Sequence, residues 1–236
     1  MSDLELIAWQ APGPYVVGFS TRSGGISKPP FHTLNLGRLT EDDPSHVTEN
    51  RRRLCTELGT NPELLSFGRQ VHGAAVRRAG GKGEPGDGLW TDTPGEPLLV
   101  FTADCLPLAI ARTNGGAPAI AALHVGWRGL LADIVQNAVS ILGGGRLAAA
   151  IGPGIGPCCY EVGAEVADPF RERFGAQVVT DGRLDLWAAA ERALASAGVA
   201  DVQRTDLCTA CNPELFFSHR RDEGRTGRQG LVALVA

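Results

Sequence analysis

The stretch from 98 to 151 constrains the fold more than any other part of the chain. It holds four short apolar runs, LLVFTA (98–103), LPLAIA (106–111), PAIAALHV (118–125) and LAAAI (147–151), separated by turn residues. Each is strand-length, and an uninterrupted apolar run bounded by turns suits a strand covered on both faces. Between the third and fourth runs, Leu130, Leu131, Ile134, Val135, Ala138, Val139 and Leu142 trace one face of a helix expected over 128–142.

A first helix is expected between Asp43, which caps it ahead of Pro44, and Gly59, which closes it. It turns Val47, Leu54 and Leu58 inward and leaves Arg51, Arg52 and Arg53 outward. Further helices are expected over 161–174 and over 185–197, the latter capped by Asp185 and stopped by Gly198, with closing strands at 202–208 and 231–235. The segment AGGKGEPGDG (79–88) reads as a loop. Helices and strands mix without strict alternation, which predicts an α+β fold. The 236 residues show no repeat and no linker, so a single domain over 1–236 is expected.

A net charge of −4 and a pI near 5.7 argue against a nucleic-acid scaffold. The opening MSDLELIAWQAPGPY has no signal-peptide pattern, and no segment approaches the ~18 apolar residues of a membrane span. Cytoplasm is the expected compartment, where the six cysteines stay reduced.

The familiar motifs are missing or misplaced. GKGEPG (81–86) has the letters of a dinucleotide fingerprint but follows no buried strand and opens no helix. There is no phosphate-loop lysine motif, no HExxH, no zinc-deaminase signature and no GxSxG elbow. Cys208 and Cys211 form a CxxC, but the adjacent Cys158 and Cys159 have the wrong spacing for a zinc knuckle, so the expectation is buried, inert thiols. IGPGIGPCCYE (151–161) is a glycine-rich bend that loses amide donors at Pro153 and Pro157 and suits a pocket wall. SHRRDEGRTGRQG (218–230) carries Arg220, Arg221, Arg225 and Arg228. It reads equally as a solvated loop offset by Asp222 and Glu223, or as an oxyanion site of forked guanidinium groups.

Five histidines remain. His32 and His46 look ordinary, and His219 neighbours the arginines within reach of a substrate. His72 and His124 join Cys105 as residues at bends of strand-like runs, far apart in sequence. Three readings fit. One is three ligands of a metal with an open fourth position, favouring zinc by ligand type ahead of copper. Another is a cysteine nucleophile with a histidine base, and the last is a packed domain that binds a partner without chemistry. Asp104 stands beside the cysteine as an orienting group, and it or Glu161 could move protons.

At these residues the chain resembles the laccase-domain family of zinc-dependent purine nucleoside phosphorylases, formerly labelled multicopper polyphenol oxidoreductases. The resemblance runs through GFSTRSGGIS (18–27), LNLG (34–37), ENRRRL (49–54), QVHG (70–73), TADCLPL (102–108), HVGWRG (124–129), IGPGIGPCCYEVG (151–163) and FFSHRRD…TGRQG (216–230). It implies a layered sandwich of mixed β-sheets with flanking helices, and makes His72, Cys105 and His124 the zinc ligands and catalytic residues. It implies phosphorolysis of adenosine, inosine and methylthioadenosine, with adenosine deamination, or alternatively the peptidoglycan-precursor editing tied to some relatives. Purine nucleosides and phosphate are then the partners, and Arg22, Asn35, Gln70, Arg128, Arg220 and Arg228 the candidate substrate and phosphate contacts. Two local departures are Val125 and the stretch GDGLWTD (86–92), whose Trp90 would alter the pocket wall. Copper-dependent phenol oxidation would need more histidines than the chain has, and a monomer is expected because no heptad seam is visible.

Overall fold

A computed structural model describes residues 4–113, 116–143 and 145–236. The first half runs β1 (Leu6–Trp9), β2 (Tyr15–Ser20), α1 (Pro44–Glu57), β3 (Phe67–Arg69), β4 (Val76–Arg78), β5 (Lys82–Pro85), β6 (Gly88–Thr91), β7 (Leu98–Thr102) and β8 (Leu106–Arg112). The second runs β9 (Ile120–Val125), α2 (Trp127–Leu131), α3 (Ile134–Ile141), β10 (Leu147–Ile151), α4 (Ala164–Phe174), β11 (Val179–Thr180), β12 (Arg183–Leu184), α5 (Leu186–Ser196), β13 (Asp201–Arg204) and β14 (Gln229–Val235).

Two sheets stack face to face. One is antiparallel, in the order β1-β2-β14-β7; the other is mixed, in the order β13-β10-β8-β9-β6-β4, antiparallel in its centre and parallel at both edges. The period-2 alternation of a strand explains the apolar runs. From β8, Leu106, Leu108 and Ile110 pack toward α2–α5, while Ala109 and Ala111 face the other sheet. Likewise β10 sends Leu147, Ala149 and Ile151 one way and Ala148 and Ala150 the other. Between the sheets these alanines, with Ala122 of β9, meet Trp9, Val17, Phe19, Val100 and Leu231. Small side chains opposite large ones let the layers interdigitate at interior density. The far face of the antiparallel sheet offers Leu99 and Val232 to Leu54 and Cys55 of α1 and to Leu34 and Leu36. The fold is therefore the expected α+β layered sandwich: α1, four strands, six strands, then the remaining helices.

The local expectations differ from the structure in four places. The single helix over 128–142 breaks into α2 and α3, because Asp133 takes a left-handed conformation with φ 69°. Arg173 holds that break by bonding the Leu131 carbonyl and the Asp133 carboxylate. The 79–88 segment contains β5, a polar strand paired with β3, and so has no apolar alternation to betray it. The 202–208 strand is only β13, ending at Arg204. Arg51 is buried rather than outward: its Nε and Nη2 donate to the Leu36 carbonyl at 2.9 and 2.7 Å, and its guanidinium lies over the rings of Phe67 and Phe101. Among the described residues, no helix is long and apolar enough to cross a membrane.

Ala122 has no exposed surface and faces the opposite sheet. Ala122→Leu should overpack this layer and cost roughly 1–3 kcal/mol, read as a lower urea midpoint. Ala195→Leu, at an exposed position of α5, should change stability by no more than about 0.5 kcal/mol. Equal midpoints for the two variants would contradict the tight inter-sheet packing.

Candidate active site

The site forms where the chain crosses from one sheet to the other. β7 belongs to the antiparallel sheet and β8 to the mixed one, and only Ala103, Asp104 and Cys105 connect them. Asp104 adopts φ 90°, a conformation that side chains other than glycine rarely take. Its buried carboxylate accepts from Thr209 Oγ1 at 2.6 Å and from the Arg220 amide at 2.7 Å, and its carbonyl accepts from the Ile155 amide at 2.8 Å. These bonds pin the crossover and set Cys105 at the start of β8.

The β8–β9 register places Leu106 opposite Val125 and Pro107 opposite His124, which brings His124 close to Cys105. His124 shares the strand parity of Ile120 and Ala122, whose side chains pack between the sheets. His72 arrives from the loop after β3 with φ 58°. The ligand atoms of His72, Cys105 and His124 all lie within 4.8 Å of one another, and the two imidazole rings are 4.9 Å apart.

One residue that the sequence reading passed over holds both histidines. Asp87, fully buried just before β6, approaches His124 Nδ1 at 2.8 Å with Oδ1 and accepts the His72 amide at 2.9 Å with the same oxygen. Its Oδ2 accepts the amides of Val71 and Gly73 at 3.0 and 2.8 Å, and its carbonyl accepts the His124 amide at 2.7 Å. An ionised carboxylate only accepts, so His124 carries its proton on Nδ1 and turns Nε2 toward the centre. The orienting role expected of Asp104 therefore belongs to Asp87, while Asp104 fixes the neighbouring loops. The one available signal was the aspartate in GDG (86–88), which in sequence looks like an ordinary turn residue.

The electrostatics follow from this packing. Burial raises the Asp87 carboxyl, but the bonds from His124, Gly73 and Val71 outweigh it and hold the group below its ordinary value. Burial likewise pushes the Cys105 thiol up, and the charge and hydrogen bonds of His124 and His72 bring it down well below a free thiol. For His124, burial lowers the imidazole, and the Cys105 sulfur and Asp87 lift it above its ordinary range. Each group thus favours the charged form of the other, and a divalent cation would take the place of the proton between them. The space suits an ion: a Cβ on Gly126 would come within 3.1 Å of Cys105 Sγ and 3.3 Å of His72 Cδ2. Two nitrogens and one sulfur, with His72 exposed, match a three-ligand catalytic site that keeps one face open.

The three residues line a cavity of about 570 Å³, within the range of roughly 300–1,000 Å³ usual for small-molecule sites. Arg38, Arg51, Arg69, Arg220 and Arg228 also line it, as do His219, Tyr160 and Ile155. Gln70 lines it too, with its amide bonded to both the N–H and the carbonyl of Phe101. Arg220 lies over the Tyr160 ring and donates to the Glu161 carbonyl at 3.1 Å. Burial lowers Arg228, while the negative charges of Cys105 and Asp104 work against that.

Several expected contacts lie elsewhere. Arg22 donates to the carbonyls of His32 and Pro213 and stacks on Phe217, so it clamps loops together. Asn35 is fully buried, donates to Thr40 and Asp42, and accepts the amides of Gly37 and Arg228. Arg128 is exposed and stacks on Trp127. The Glu161 side chain faces Arg183 at 3.4 Å, and Trp90 lies under Arg78. None of these five is among the described residues lining the cavity. The C-terminal arginines divide between the two readings: Arg220 and Arg228 line the cavity, whereas Arg221 forks onto Asp222 and Arg225 pairs with Glu41. Sequence reasoning missed Arg38, Arg51 and Arg69 because they sit in unrelated segments that only folding brings together.

Comparison with known proteins adds a consistent set of relatives. The family described as multi-copper polyphenol oxidoreductase laccase matches residues 16–236. The purine nucleoside phosphorylase YfiH of Escherichia coli is 38% identical over 241 residues, covering 97% of each chain. The purine nucleoside phosphorylase PA4543 of Pseudomonas aeruginosa is 40% identical over 235 residues, covering 93% of each. The crystal structure of Neisseria meningitidis protein NMB0706 superposes with a TM-score of 0.90 at 32% identity, covering 99% of each chain.

Asp87→Asn should keep the shape of the hub but remove the charge that orients His124. Metal affinity should fall by roughly 10–100-fold, measured by competition against a chromophoric chelator. An unchanged affinity would remove Asp87 from the site.

Proposed function

The chain belongs to the multi-copper polyphenol oxidoreductase laccase family, and from that membership we propose that it is a zinc-dependent purine nucleoside phosphorylase. Relatives of 38–40% identity, matched over nearly their whole length, are named purine nucleoside phosphorylase. The observation that carries the reading is the His72–Cys105–His124 centre set in the wall of an arginine-lined cavity. Adenosine, inosine and methylthioadenosine are the proposed substrates, with adenosine deamination as a second activity. The enzyme is proposed to act as a monomer in the cytoplasm, where its free thiols stay reduced.

Leu39, Phe67, Phe101 and Tyr160 give the cavity an apolar and aromatic wall suited to a purine ring. Arg220 and Arg228 are the proposed phosphate contacts, since forked, charge-assisted donors match its oxygens. Holding phosphate and nucleoside together lets a phosphate oxygen attack the ribose C1′ as the bond to the base nitrogen breaks through an oxocarbenium-like state. The bonding electrons leave with the base nitrogen, which takes up the proton given up by the attacking hydrogen phosphate, and the 1-phosphate of the sugar forms, ribose 1-phosphate from adenosine or inosine. Zinc bound by His72, Cys105 and His124 would supply Lewis-acid polarisation and positioning of an oxygen. Copper also accepts this ligand set, but laccase-type oxidation needs several copper centres, and the chain has five histidines.

The lowered Cys105 thiol favours one rival, a cysteine hydrolase with His124 as base. Product chromatography separates the two. Adenosine or inosine should release free base and ribose 1-phosphate only when phosphate is present, and chelation should abolish the reaction. Base released equally without phosphate, with chelator harmless and thiol alkylation lethal, would establish the hydrolase instead. Arg228→Met should raise the KM for phosphate by about 10-fold or more, the loss expected for one charge-assisted contact. An unchanged KM for phosphate would remove Arg228 from that role.

A further inference from the structure

A second constellation of possible metal ligands, made of four cysteines, lies outside the cavity lining among the described residues. Cys158 and Cys159 occupy the turn after β10, closed by the Cys159 and Tyr160 amides donating to the Gly156 carbonyl at 2.9 Å each. Cys208 and Cys211 occupy the turn after β13. The parallel pairing of β10 with β13 ends at Ile151 opposite Arg204, but the two chains remain joined beyond it. Gly154 bridges to Cys208; the Gly154 amide donates to Leu207 and the Thr209 amide to Gly154, at 3.3 and 3.0 Å. The two turns therefore face one another.

Their four sulfurs converge. Cys211 Sγ lies 3.5 Å from Cys158 Sγ and 3.3 Å from Cys159 Sγ, and all four lie within 4.8 Å of one another. A tetrahedral zinc with bonds of about 2.3 Å sets sulfur–sulfur edges near ~3.8 Å, so closing around an ion needs only small side-chain movements. The Gly156 amide donates to Cys208 Sγ at 3.3 Å, the kind of outer bond that steadies a ligating thiolate. A Cβ on Gly156 would sit 3.3 Å from Cys158 Sγ and 2.7 Å from the Trp187 ring, so this close turn requires glycine. Packing alone does not explain the cluster. Cys158 and Cys211 are exposed, whereas cysteines that serve as small apolar core residues are among the most buried side chains. The expectation of burial therefore fails for Cys158 and Cys211, while Cys208 is buried as expected.

We propose that Cys158, Cys159, Cys208 and Cys211 form a second metal site, holding a thiophilic divalent cation of the zinc class as a tetrathiolate. With all four positions taken by protein, such a site is structural rather than catalytic. Its effect would reach the cavity through the turns it joins: Ile155 and Tyr160 line the cavity, and Thr209 bonds the Asp104 carboxylate that pins the crossover. The ion would tie the two turns together as a clamp on one wall. This site is independent of the proposed phosphorylase chemistry.

Metal analysis of the full chain, expressed with added zinc sulfate and purified under reducing, chelator-free conditions, tests the proposal. The native protein should hold about two zinc ions per chain. A Cys158→Ser, Cys211→Ser double variant, changed only at exposed positions, should lose one ion and melt at a lower temperature. His72→Ala should lose the other ion and keep the tetrathiolate one. Cadmium titration supplies a second readout: thiolate-to-metal charge-transfer absorbance should persist largely intact in His72→Ala and fall steeply in the double cysteine variant. The proposal is overturned if the double variant retains the native zinc content and cadmium signal. It is also overturned if the reduced protein takes up no metal there. A His72→Ala variant that lost no metal would instead count against the active-site reading and leave the four-cysteine site standing.

Discussion

A single buried carboxylate organises the end of the molecule where the cavity opens. Asp87 has no exposure to solvent, and leaving a charge there unpaired would cost several kcal/mol. The fold meets that cost with three successive backbone amides, from Val71, His72 and Gly73, and with the imidazole of His124. Each bond has a structural consequence. The amides curl the loop after β3 around the carboxylate and hold His72 in a left-handed conformation, and the imidazole bond fixes which nitrogen of His124 faces Cys105. Two histidines from distant segments are thus aimed by one group that never touches the cavity's contents.

The position of that group follows from the sandwich. Alanines on the inner faces of β8, β9 and β10 let the two sheets approach closely over most of their area. At the end of β7 the chain leaves one sheet for the other within three residues, and the strained backbone of Asp104 makes the turn. Cys105 and His124 lie at this rim, where two layers part and a cavity opens. The arginines that line it come from the loop before α1, from α1 itself, from the end of β3 and from the C-terminal segment. A chain of net negative charge thereby builds one local site suited to anions.

Strands buried on both faces were legible because each carried an uninterrupted apolar run, and α1 was legible from its cap and its proline. The strand β5 was not, since a short polar strand has no periodicity to read. Nor was the break at Asp133, where the apolar stripe continues on both sides of a backbone kink. Arg51 looked outward because charge usually faces water, yet stacking on Phe67 and Phe101 and the Leu36 carbonyl hold it inside. Arg22 and Asn35 are substrate contacts by resemblance, but the fold uses their hydrogen-bonding groups to tie loops together.

By itself the sequence determined which residues were chemically capable: the rare histidines, the cysteines beside them, the forked arginines and the apolar runs able to form covered strands. Those properties are local and survive in an unfolded chain. Only the tertiary structure decided which capable residues share a point in space, because strand register, the sheet-to-sheet crossover and the buried Asp87 are non-local. Register is why Cys105 meets His124, and the joining of two turns is why Cys158 and Cys159 meet Cys208 and Cys211 instead of lying apart as core thiols.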